Sequence, residues 1–174
     1  MPAPPLRLAV ASGVLGGGFA ALVLVLPPLL TRGGDGTVPE YLAILVTLLA
    51  VHVGGRAATT ARPDSGFGAR VGYVVVAALV ASAIATAALY GLYAGWRPGL
   101  LEARYALHAA PTAATAPGGV GVADLTAHRA QSLDPAFQAL SGGGRLLFCG
   151  LLFGAYGAFR WRVARRLGRR PSGA

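Results

Sequence analysis

Lysine is absent from the 174 residues, and every one of the 15 basic residues is arginine. Alanine is abundant, as are glycine (26) and proline (12); together these read as the coding bias of a GC-rich bacterial genome, so the choice of arginine at a single site carries little mechanistic weight. Cys149 stands alone in an apolar run. It excludes an intramolecular disulfide and a cysteine-based metal site, and it reads as a small packing residue. Only six residues are acidic, and no two of them share an apolar span. A glycine-rich loop leading to GK[ST], an H-E-x-x-H and a G-x-S-x-G are also missing, which removes the common phosphate-loop, zinc-protease and serine-hydrolase signatures. No enzyme and no intrinsic metal or cofactor is expected.

What the chain does have is apolar length. Hydrophobic residues make up 55% of it and the mean hydropathy is +0.60, too high for an ordinary soluble domain of this size. A single membrane domain, 1–174, is expected. Leu8 to Leu30 is 23 residues without a charge and Val71 to Gly95 is 25; at ~1.5 Å per helical residue each exceeds a hydrocarbon core of ~30 Å. A second span is expected over 39–61, opened by Pro39 in the first helical position, with Arg56 snorkelling to the interface. A fourth is expected over 135–168, because Asp134-Pro135 reads as an N-cap followed by proline at the first helical position. The first span reads as a retained helix rather than a signal peptide, since LPPLLTRGG offers no A-x-A cleavage pattern. Pro27 and Pro28 are expected to kink or end it.

Arginine counting sets the orientation. With both termini inside, Arg7, Arg56, Arg62, Arg70 and the six of the tail make ten cytoplasmic arginines against five outside, and five of the six acids fall outside. Tyr90, Tyr93 and Trp96 gather where the third span should leave the membrane. The expectation is an all-α integral membrane protein with four transmembrane helices, N-in/C-in, in the bacterial inner membrane. Its long exterior loop, 96–134, should carry short amphipathic helices: Gly99 to Ala110, with Leu100, Leu101, Tyr105 and Leu107 facing lipid, and Val122 to Gln131, where Asp124 and His128 fall four apart. That pair reads as a histidine oriented by a carboxylate or as an ordinary exposed pair.

Helices that meet inside lipid must gain contact through small side chains. Candidate packing residues are Ser12, Gly13, Gly16 and Gly17 in the first span; Ala77, Ala81, Ala85, Gly91 and Gly95 in the third; and Gly150, Gly154 and Gly157 in the fourth. They read either as a face for a partner subunit or as contacts within the bundle. The closing stretch FRWRVARRLGRR continues from the last helix, so Trp161 with Arg160, Arg162, Arg165, Arg166, Arg169 and Arg170, in a basic tail over 160–174, reads as an anchor in lipid head groups rather than a nucleic-acid arm. Bound lipid is expected. The ionisable residues nearest membrane depth are His52, a candidate ligand for a haem or chlorophyll-type pigment, and Arg145, which should pair with an exterior acid or snorkel upward.

One resemblance goes further. A glycine-rich first span, a short second one, GFGARVGY opening a third that ends in YGLYAGW, then DPAF and a glycine-rich last helix ending in arginines are together similar to an uncharacterised family of small bacterial four-helix inner-membrane proteins, a domain of unknown function. It covers most of the chain from Leu8 to Arg166; the stretch between Pro111 and Val122 departs from the pattern. The resemblance implies an inner-membrane location and four spans and brings no activity. The function expected is that of a non-catalytic accessory or structural subunit packed against a larger membrane complex, bioenergetic in kind (photosynthetic reaction-centre or antenna, or respiratory). The alternatives are a small transporter or channel, or a haem- or pigment-binding sensor.

Overall fold

The computed structural model describes residues 4–30, 37–62, 65–106 and 122–168, and within them every regular element is helical. In chain order these are α1 (Pro5–Leu30), α2 (Thr37–Ala61), α3 (Phe67–Gly91) prolonged by a π turn (Leu92–Trp96), α4 (residues 100–106), α5 (Val122–Leu133) and α6 (Pro135–Gly168). Four of them are long and apolar enough to cross a membrane: Pro5–Leu30, Val38–Ala61, Phe67–Trp96 and Pro135–Val163. The middle of the expected exterior loop, with Leu107, lies outside the described residues, as do Arg169 and Arg170.

Composition is distributed inside out by the standard of a water-soluble bundle. Ala9, Ala20, Ala43, Ala77, Ala81 and Ala85 have no exposed surface, whereas Leu15, Phe19, Leu45, Leu49, Phe148 and Phe153 stand largely exposed. A soluble protein buries the larger groups and rarely leaves so continuous an apolar surface. Hydrocarbon reverses that preference: large side chains lose nothing by facing lipid tails, and small ones let backbones meet and gain dispersion contact. The four helices and this distribution are consistent with a multi-pass membrane protein.

The helices form an up-down-up-down bundle in which α1 packs on α2 and α3, while α6 packs on α3 and, along a thinner seam, on α2. Small residues set these approaches. A Cβ added at Gly13 would lie 2.7 Å from the Ala77 carbonyl oxygen, and one at Gly17 would lie 2.8 Å from the Ala81 Cα. On the neighbouring faces Gly16 meets Ala50 and Gly54 meets Ser12. Gly143 lets α3 come close enough for the Ser82 hydroxyl, buried, to donate to the Gly143 carbonyl oxygen at 2.7 Å; further along, Gly150 rests on Ala78 and Gly154 on Val74. Gly91 and Gly95 differ from the other packing candidates, having open space where a side chain would project.

The helix ends refine the expected boundaries. The Asp134 Oδ1 accepts the Ala136 amide at 2.9 Å, so α6 starts on the side-chain cap anticipated for it. α1, Pro5–Leu30, runs through Pro27 and Pro28 without ending at them. α3 begins at Phe67, one turn before Val71, and this takes Arg70 out of the expected connecting segment and into the helix, where it is only 2% exposed. At the other end of α3 the Arg97 amide donates to the Leu92 carbonyl oxygen at 2.8 Å, an i to i−5 bond that widens the last turn.

Candidate functional site

Polar groups concentrate at the two ends of the bundle, and in both places they lie along the α2–α6 seam. At the end that carries α4 and α5, the loop end, a cavity of about 380 Å³ opens among α1, α2, α3, α4 and α6. Its polar wall comes from separate helices. Glu40 stands in the first turn of α2, one residue after Pro39; an acid there is favoured by the positive end of the helix dipole. Arg145 of α6 donates from Nη1 to the Glu40 Oε1, giving a half-exposed ion pair. Arg104 of α4 donates from Nη1 to the Tyr93 hydroxyl at 3.0 Å. Leu24, Ile44, Leu89 and Leu146 form the apolar floor.

α4 is the element whose placement differs most from expectation. Leu101 does not face lipid: it is 4% exposed and packs with Val25, Leu89, Leu92, Tyr93 and Ala139. Leu100 packs against the same cluster and is half-buried. The helix is therefore a cover seated on the bundle rather than a float on the membrane surface, since an apolar cluster lies within its reach and rewards docking. Tyr105 faces α5, its ring centroid 6.4 Å from that of His128 and 5.9 Å from the Arg129 guanidinium carbon. Of the three aromatics expected as an interfacial belt, Tyr90 and Trp96 are exposed, but Tyr93 turns inward and is 6% exposed.

At the opposite, arginine-rich end the seam holds a smaller cleft of about 50 Å³. His52 and Arg56, one turn apart on α2, line it together with Arg70 of α3 and Trp161 of α6. The Arg70 guanidinium lies over the Trp161 ring, 2.8 Å from its centroid, and Arg70 Nε donates to the Ser65 carbonyl oxygen at 3.1 Å. Trp161 thus packs a buried arginine as well as standing at the start of the basic tail. His52 is exposed, and a Cβ at Gly157 would sit 3.5 Å from its Nδ1. Arg160 and Arg162 are exposed, with the Arg162 guanidinium 5.3 Å from the Phe67 ring centroid; Arg165 and Arg166 lie on the continuing helical backbone.

Between the two ends the bundle is closed. Ala20, Ala43, Ala85 and Leu146 form one buried cluster, and Val51, Val74, Ala77 and Ala78 form the next. Buried polar side chains in this section satisfy themselves on backbone: Thr47 donates to the Ala43 carbonyl oxygen at 2.8 Å, and Ser82 bonds as described. Among the described residues no group of three His, Cys, Asp or Glu side chains could hold a metal ion.

The sequence singles out Arg145 and anticipates an acid as its partner, without giving the acid. Glu40, Arg104, Tyr93 and Arg70 are not distinguished there as site residues. A retrievable signal existed for Glu40, because the boundaries of α2 and α6 place it and Arg145 at the same end of the bundle. None existed for Arg104 and Tyr93, whose meeting depends on how α4 folds back. No protein-family model matches the chain, and neither does any curated protein or solved structure.

Proposed function

We propose that the chain is a non-catalytic accessory transmembrane subunit of a larger bacterial inner-membrane complex, bioenergetic in kind, with both termini cytoplasmic. The observation that supports this reading is the closed middle of the bundle. Ion or solute transport uses ionisable groups at membrane depth, and here alanine, valine and leucine form the buried clusters at that depth, the buried Thr47 and Ser82 hydroxyls are bonded to backbone, and the charged side chains around the two cavities stand at the ends. The orientation rests on the arginine distribution, because the helix ends next to Arg7, Arg56, Arg62, Arg70 and Arg160 share one end of the bundle. Lipid head groups, through the basic tail, and neighbouring subunits, through the exposed leucine and phenylalanine faces, are the partners of this reading; nucleic acid is not among them. The likeness to the uncharacterised four-helix family belongs to the same proposal.

The experiment is an affinity pull-down in mild detergent, with native gel electrophoresis and mass spectrometry of what accompanies the chain. Co-migration with a defined set of membrane subunits is expected; a chain that runs alone would sink the reading. An absorption spectrum of the same material tests His52 as a pigment or haem ligand. A cleft of about 50 Å³ beside it is too small to enclose a macrocycle, so any such group would have to lie against the outer face of α2.

A further inference from the structure

Near its loop end α6 carries three consecutive glycines, Gly142, Gly143 and Gly144, inside a helix that runs unbroken over Pro135–Gly168. Each costs a helix about 1 kcal/mol relative to alanine, so the triplet concentrates weakness in one turn. Packing accounts for two of them: a Cβ at Gly142 would lie 2.8 Å from the Leu89 Cδ1, and one at Gly143 would lie 3.0 Å from the Thr86 Cβ. Gly144 has open space where a side chain would project, and what its glycine supplies is backbone freedom. Ser141 precedes the triplet and completes the serine-glycine pairing at which helices kink. The helix is held very differently on the two sides. Toward the arginine-rich end, Arg145 pairs with Glu40 of α2, Leu146 is buried, and Gly150 and Gly154 rest on Ala78 and Val74 of α3. On the loop side, in residues 135–141, Ala139 is the only buried residue, and Phe137 and Leu140 are exposed; one buried methyl group rewards docking little. This arm is tied to α5 instead, because Gln138 Nε2 donates to the Gln131 carbonyl oxygen at 3.3 Å.

We infer that α6 bends at Gly142–Gly144, so that the arm 135–141 moves with α5 as a hinged wall of the loop-end cavity. Gln138, Ser141 and Gly142 line that cavity from α6 and Ser132 lines it from α5; swinging them outward opens it on that side. The Ser82 hydroxyl is the latch. It is buried and donates to the Gly143 carbonyl oxygen at 2.7 Å. A bend at the triplet turns that carbonyl away, so the bond favours the straight helix and the closed wall. The inference goes beyond the accessory-subunit reading and stands without it, since hinge, latch and wall belong to one chain.

The test uses the full chain in lipid nanodiscs, with Cys149→Ser removing the one native cysteine and spin labels on introduced cysteines read by pulsed electron double resonance. One pair joins Leu15→Cys of α1 to Phe137→Cys on the arm; the other joins Leu15→Cys to Phe153→Cys on the far side of the triplet. All three positions are exposed, so the labels displace no packing. The Phe137 pair should show two distances and the Phe153 pair one. Ser82→Ala should raise the population of the second Phe137 distance about fivefold, as loss of one hydrogen bond predicts. Gly144→Ala should lower it by about the same factor, because alanine stiffens the helix. That substitution meets open space, so narrowing cannot come from damaged packing, and the Phe153 pair reports in every background whether the bundle is intact. A single Phe137 distance that persists with Ser82→Ala, a second distance that Gly144→Ala leaves undiminished, or equal broadening of the Phe153 pair would each overturn the inference.

Discussion

Two seams of one bundle use glycine to opposite ends. Along α1–α3, the positions of Gly13 and Gly17 bring backbone against backbone, with Ala77 and Ala81 on the far side at 2.7 and 2.8 Å from where a Cβ would stand. Along α2–α6, a Cβ at Gly157 would lie 3.5 Å from the His52 ring and one at Gly150 would lie 3.7 Å from Val51, which are ordinary contact distances to side chains. The first seam is sealed. The second leaves a cleft at each end and gathers the polar groups there. Glycine itself therefore says little; what decides its role is whether the residue opposite presents backbone or a side chain that can give way.

That difference can be broken most severely at the sealed seam. Gly17→Leu should prevent α1 and α3 from docking and abolish cooperative unfolding in detergent; the milder Gly17→Ala should cost about 1–3 kcal/mol, as overpacking does, read from denaturant midpoints. Next in size comes the buried end of the open seam. Arg70→Gln removes a guanidinium packed on an indole and should cost about 2 kcal/mol, and in a Trp96→Phe background it should shift the emission of Trp161. A chain unaffected by Arg70→Gln would place the energetic weight of that end elsewhere. Glu40→Gln should lower stability by no more than about 1 kcal/mol, because its pair with Arg145 is half exposed and screened by water and salt, and it should remove part of the salt dependence of the unfolding midpoint. Smallest of all, Gly157→Ala should change stability by about 0.5 kcal/mol or less. A large loss there would mean that the two seams are equally tight and the contrast false.

Much of the architecture was legible because it follows from single-residue preferences summed over long windows. Four apolar runs, the Asp134-Pro135 start of α6 and the small-residue pairs of α1 and α6 needed nothing beyond periodicity and capping chemistry. Boundaries were less legible where a charged residue interrupts an apolar pattern. Arg70 ends the apolar run on paper, yet the helix extends through it because Trp161, ninety-one positions away in sequence, supplies a face for the guanidinium. The loop-end cavity was illegible for a related reason. Leu101 reads equally well as a lipid-facing or a core residue, and only the fold-back of α4 onto Val25 and Leu89 decides between them.

The alanine and glycine interior has a consequence for how the chain can vary. Most proteins are damaged when a buried group is trimmed and a void opens; here much of the interior is already trimmed to a methyl group or a hydrogen atom, and harm comes chiefly from enlargement.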